Sequence, residues 1–349
     1  MLKLPRLYMM IVLVALLACG CGKTKEVPEE SKGLLINGAD YLSVEGISLE
    51  KGASIGMVAT NAENSFFDIV KSGAMQAVED LNKELGYTGN KEIKLSFAAP
   101  KEEDVIEQIN IIDQFLDKAP DALCVAFTDA SACKTQLSMA KNNGIKLIAF
   151  DTPDDTNLTE TIVATDNQAA AAEAARKMFE AIDYEGKIAI VAHNFLTKTS
   201  QIRKQAIIDE MTQNYNDKEI QFVDIVYTTE KDRSEEEVLS ELLEKHQDLS
   251  GIICTDLQTT EMVIDYAKKQ SEITYKIVGF DTSEKIVNEI GNLLVGTVSQ
   301  EPYDIGYAAI VAAARSISGM GNVSNISTNH VWIDAQNLSS QEVQSVLYN

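Results

Sequence analysis

The chain has 349 residues, 45% of them hydrophobic, and its 53 acidic side chains outnumber 30 basic ones for a formal charge of −23. That length supports two domains with cores of their own, and the composition is that of a globular protein. The charge excludes a nucleic-acid partner, because phosphate binding needs a basic footprint.

The first 18 residues read as a targeting signal: Lys3 and Arg6, then an apolar run from Leu7 to Ala18 that is too short to span a membrane as a mature helix. Residues 19–52 are charged with little sustained period, and are expected to form a flexible tether. From Ala53 the chain alternates strand and helix. Ser54 to Ala59 is a strand, and a loop leads to a helix from about Phe66 to Leu85. Strands follow at Ile93–Ala98, Ala122–Ala126, Lys146–Phe150 and Ile162–Ala164, with helices at Glu103–Lys118 and Ala130–Asn143 between the first three. A long Ala-rich helix spans Gln168 to Ile182.

The pattern then restarts. Strands are read at Lys187–Ala192, Ile220–Val226, Gly251–Cys254 and Ile277–Phe280, with helices at Ser200–Tyr215, Ser234–Lys245 and Thr259–Lys269. After Phe280 come Asp281, a cap at Thr282 or Ser283, a helix with Ile286, Ile290 and Leu293 on one face, and a strand at Leu294–Val298. Two series of strand–helix units imply an α/β protein of two doubly wound parallel-sheet lobes.

In open sheets of this kind, ligands bind outside the carboxyl ends of the strands. The polar residues there are Asn64, Asp151, Asp166, Asn167, Asp256, Asp281 and Gln300, with Arg203 near the start of a helix and Phe66 and Phe67 beside Asn64. Several carboxylates and amides with one Arg suit a polyhydroxylated ligand, whose hydroxyls both donate and accept, and a phenyl ring can wall such a ligand. Cys124, Cys133 and Cys254 give no disulfide framework. The three histidines, His193, His246 and His330, are scattered and form no metal or triad signature. The sequence therefore points to no cofactor, no metal and no catalytic group.

Leu16-Leu-Ala-Cys19 resembles a bacterial lipobox, which implies cleavage before Cys19 and a lipid anchor on it, with Cys21 as the weaker alternative. The body resembles the type I periplasmic substrate-binding proteins of ABC transporters, nearest the ribose-binding-protein-like sugar group. The resemblance rests on Asn64-Ser-Phe-Phe, Phe150-Asp151-Thr, Ala164-Thr-Asp166-Asn167, Ser200-x-x-Arg203, Val278-Gly-Phe-Asp281 and Val298-Ser-Gln300-x-Pro302, in family order over most of the chain.

This resemblance implies a three-strand hinge with crossovers near Thr165, Gln300 and Thr328. The lobes would be 53–165 with 300–328, and 166–299 with 329–349. It also implies ligand contacts at Asn64, Phe66, Phe67, Asp151, Arg203, Asp256, Asp281 and Gln300. The chain departs from the family pattern at Thr152, where Arg is frequent, at Asp256, where Asn is usual, and at Ala206, a common Gly. Lys231 falls where the family places an aromatic that stacks on the sugar, and is read as a solvated loop lysine, with contact to an anionic ligand group as the alternative. The implied protein is a monomeric, membrane-anchored extracytoplasmic receptor. It would catch a small sugar-like solute for an ABC permease, or else report occupancy to a membrane histidine kinase or chemoreceptor.

Overall fold

A computed structural model describes residues 33–229 and 233–348. The expected signal at 1–18, Cys19, Cys21 and Lys231 lie outside them.

The described chain opens with a small hairpin, β1 (Leu35–Ile36) and β2 (Ala39–Asp40). The first lobe follows as β3 (Ser54–Val58), α1 (Ser65–Leu85), β4 (Lys94–Ala98), α2 (Val105–Lys118), β5 (Ala122–Val125), α3 (Lys134–Asn142), β6 (Lys146–Phe150) and β7 (Thr161–Thr165). The second lobe holds α4 (Asn167–Ala181), β8 (Glu185–Ala192), α5 (Lys198–Asn214), β9 (Glu219–Tyr227), α6 (Glu235–Lys245), β10 (Leu249–Cys254), α7 (Leu257–Ala267), β11 (Lys276–Phe280), α8 (Glu284–Glu289) and β12 (Leu294–Gln300). The chain then returns to the first lobe as α9 (Pro302–Ile317) and β13 (Asn325–Thr328), and crosses back as β14 (His330–Asp334) and α10 (Gln341–Val346).

The sheets run β4-β3-β5-β6-β7-β13, all parallel, and β9-β8-β10-β11-β12-β14, parallel except for the last strand. The order of the first five strands of each lobe is 2-1-3-4-5, the doubly wound arrangement with a switch point beside its first strand. The three crossings fall after Thr165, Gln300 and Thr328.

Buried parallel strands have two apolar faces, and successive side chains divide between them. In β5, Cys124 packs toward α1 and α9, and Leu123 and Val125 toward α2 and α3. In β10, Ile253 faces α4 and α5, and Ile252 and Cys254 face α6 and α7. Helix α1 buries Phe66, Phe67, Val70, Ala74, Ala77, Val78 and Leu81, a stripe at helical spacing. It ends on Gly86 in the left-handed conformation, φ 65°. Gly73 and Gly306 let α1 and α9 touch: a Cβ at either would run into the Tyr303 or Val70 carbonyl.

Two expectations are corrected. Residues 33–52 are not tether: Tyr41, Val44, Ile47 and Leu49 are buried in the first lobe's core, and the Tyr41 ring stacks under Arg315. These apolar side chains lack a regular period but still cover apolar surface. The helix after Asp281 is capped by Ser283 and ends at Glu289, so Ile290 and Leu293 lie beyond it. Ile290 takes extended backbone, and Gly291 at φ 80° turns the chain into β12.

Candidate ligand cleft

The carboxyl ends of both sheets face one another across a cavity of about 90 Å³. Asn64, Phe66, Phe67, Asp151, Arg203, Asp256, Asp281 and Gln300 all line it. Thr60, Asn61, Glu103, Thr152, His193, Thr199, Ser200 and Thr255 complete much of the wall. The space is large enough for several water molecules, which suits a small solute rather than a polymer.

Two aspartates hold corresponding places. Asp151 follows β6 and Asp281 follows β11, each in the left-handed region, at φ 57° and 68°. Each donates its backbone N–H across to the neighbouring strand, Asp151 to Val163 O and Asp281 to Val298 O. Asp tolerates this conformation better than most residues, and the turn swings the carboxylate over the sheet's end.

The surroundings of the two differ. Asp281 is 3% exposed and is held from three sides: Gln300 Nε2 at 2.7 Å and Tyr348 Oη at 2.9 Å on Oδ1, and Leu257 N at 3.0 Å on Oδ2. Gln300 in turn accepts from Thr165 Oγ1 at 2.8 Å, so two of the three crossings are tied through one amide. Asp151 accepts at Oδ2 from the Thr152 hydroxyl at 3.1 Å. Burial pushes the Asp151 carboxyl up to about 6, against the pull of the Arg203 charge and the Thr152 hydrogen bond. Burial raises Asp281 as well, opposed by Arg203, Gln300 and Tyr348.

Arg203 projects from the first turns of α5 and is 3% exposed. Its guanidinium lies 3.9 Å above the Phe280 ring, donates from Nε to Asn167 Oδ1 at 2.7 Å, and from Nη1 to Thr255 O at 2.8 Å. Among the described residues its Nη2 is buried without a partner, as is Ser200 Oγ on the turn before it. Buried polar atoms are rarely left this way.

Asn64 and Asp256 double as helix caps, accepting from Phe66 N and Thr259 N. Phe66 and Phe67 meet edge to face at 5.2 Å, and both belong to the first lobe's core as well as to the wall.

The lobes also touch at the cleft's mouth. Glu103, after β4, meets His193 Nε2 at 2.6 Å and accepts from Asn194 Nδ2 at 2.9 Å, both on the loop after β8. Thr199 Oγ1 donates to Asp151 O or Thr152 Oγ1, each at 3.4 Å. Burial alone would lower His193; its hydrogen bond to Glu103 and the charges of Asp256, Glu103 and Glu235 outweigh that, and its pKa is raised. Sequence reasoning passed over Glu103, His193, Ser200 and Tyr348. His193 had no local signal, since its partner is 90 residues away in the other lobe. Ser200 stood in a matched motif, three residues before Arg203, and could have been taken with it.

Two doubly wound lobes of the same strand order, joined by three crossings around a polar cleft, define a type I periplasmic binding protein. The model of the periplasmic binding protein domain matches residues 55–320, and the chain belongs to that family. It is 24% identical over 272 residues to the ribose import binding protein of Bacillus subtilis (strain 168), covering 77% of this chain and 83% of that protein. Among solved structures, an ABC transporter solute-binding protein from Agrobacterium vitis bound with α-D-tagatopyranose superposes with a TM-score of 0.77 at 21% identity, covering 85% of this chain and 99% of that one. A glucose-galactose binding protein from Geobacillus stearothermophilus gives 0.74 at 22% identity, covering 83% and 100%.

Proposed function

We propose that this chain is an extracytoplasmic solute-binding lipoprotein. It captures a small sugar or sugar derivative between its lobes and delivers it to the permease of an ABC transporter, doing no chemistry on it. The observation that carries the reading is the buried guanidinium of Arg203 on the cleft wall, its Nη2 unpartnered beside an equally unpartnered Ser200 hydroxyl. Two such groups, set among the carboxylates of Asp151, Asp256 and Asp281, match the mixed donors and acceptors of sugar hydroxyls. The sugar ligands of the relatives support the same class of solute. Anchoring rests on Leu16-Leu-Ala-Cys19.

A melting-temperature screen over sugars, polyols and sugar derivatives identifies the ligand, because a solute that binds only the folded form raises its stability. Calorimetric titration of Arg203→Ala and Ser200→Ala then tests the site. Each removes a group that the ligand pairs, so affinity falls about ten- to a hundred-fold for Arg203→Ala and less for Ser200→Ala. Among the described residues Ser200 Oγ has no hydrogen-bond partner, so its removal is expected to leave folding intact. Wild-type affinity in both variants refutes the assignment.

A further inference from the structure

The charge on the cleft wall narrows the class of solute, given the sugar-capture reading above. Among the described residues the wall carries the carboxylates of Glu103, Asp151, Asp256 and Asp281, facing the cations Arg203 and His193. These do not cancel pairwise. Glu103 is taken by His193 and Asn194. Asp281 is satisfied by neutral donors from Leu257, Gln300 and Tyr348. Arg203 gives two of its nitrogens to neutral acceptors, Asn167 Oδ1 and Thr255 O.

Asp151 and Asp256 are left. The first accepts from the Thr152 hydroxyl, and the second from the Thr255 and Thr259 hydroxyls and the Thr259 amide; all of these donors are neutral. One of these carboxylates comes from each lobe, and both border the same cavity. The Arg203 charge already favours ionised Asp151, but it is one cation for two carboxylates; taking the second charge out of water without a cation of its own is costly, and a cation that arrives with the ligand removes that cost. Burial already lifts Asp151 to about 6 with the cleft as it stands.

The unpartnered Arg203 Nη2 and Ser200 Oγ call for something else in the same molecule: oxygen atoms that accept, and a hydroxyl that exchanges hydrogen bonds with the serine. We propose that the solute is an amino sugar, its protonated amine held between Asp151 and Asp256 and its hydroxyls by Arg203 and Ser200.

The test is calorimetric titration of the full chain at pH 7 with pairs of sugars that differ only at one position: D-glucosamine and D-glucose, D-galactosamine and D-galactose, D-mannosamine and D-mannose, with D-glucuronate as the anionic probe. In at least one pair the amino member is expected to bind ten-fold or more tightly than its neutral partner. Asp256→Asn should narrow that gap, and it keeps the helix cap because Asn caps as well as Asp. Asp151→Asn serves as the second variant, since Asn also accepts the left-handed turn. A neutral sugar or glucuronate that binds as tightly as every amino sugar overturns the amine while leaving sugar capture standing. Absence of binding by any of the seven, charged or neutral, overturns both. An amine advantage unchanged in both Asp variants overturns the assignment to these two carboxylates.

Discussion

Replacing Asp151 by Asn separates what the cleft needs for binding from what the fold needs for stability. The carboxyl titrates near 3.8 when unconstrained and at about 6 in the folded chain, because burial disfavours its charge more than Arg203 and Thr152 favour it. A raised carboxyl pKa means that the native state holds a proton the unfolded chain has released. The associated stability is therefore present below about pH 4 and is lost as pH rises through about 6. A shift of about two units corresponds to roughly 3 kcal/mol of strain from the ionised group at neutral pH. Asn removes the charge, can accept the Thr152 hydrogen bond, and tolerates φ near 57°.

The apo variant should thus unfold in urea at a higher midpoint than wild type at pH 7.5, by about 1–3 kcal/mol, with much of that gain gone at pH 4.5. Its ligand affinity should fall. A variant that is less stable at pH 7.5, or whose gain is the same at both pH values, refutes the idea that ionised Asp151 is a standing cost to the folded chain.

Two further outcomes are expected. Glu103→Gln keeps the shape at the cleft's mouth and removes the charge facing His193. Closure with a charged imidazole is favoured below about pH 6.5 and loses that gain as pH rises through the raised His193 pKa, so wild-type affinity should decline over that range. The variant's should not, and it should bind about three- to ten-fold more weakly at pH 6; parallel pH profiles by titration would dismiss the contact as a latch. Gly306→Ala drives a methyl group into the Val70 carbonyl, so the thermal midpoint should drop as expected for about 1–3 kcal/mol or more; an unshifted midpoint would mean that α1 and α9 are less tightly apposed than described.

The alternation of short apolar runs with amphipathic stretches was enough to read both lobes, because each parallel strand is apolar on both faces and each flanking helix on one. The strand tips were legible for a related reason. A polar residue that follows a fully apolar run must lie at a sheet's end; Asp151 and Asp281 follow such runs directly and Asp256 one residue on, whereas Gln300 is the last residue of β12 itself. Helix α9 was not named as an element. It is buried nearly all round, from Ile305 to Ala314, and so offers no polar face from which to read a period. Residues 33–52 were misread for the opposite reason: four buried side chains at uneven spacing carry no period at all. Glu103 with His193, and Tyr348 with Asp281, meet over 90 and 67 residues, so only the assembled lobes reveal them.

The same crossings govern the order in which the protein can be made. Strand β13 pairs with β7 along 325–328, and α9 lies against α1 over residues that are separated by more than half the chain. As the chain emerges from the ribosome, the first lobe lacks one edge strand and the helix that covers one face until residue 328 is out. Its apolar face, Val70, Ala74 and Ala77 on α1 among it, stays open while the whole second lobe is synthesised. Such non-local pairing makes folding slow and late. On the proposed extracytoplasmic reading, the first lobe would thereby stay incomplete until nearly all of the chain has been translated.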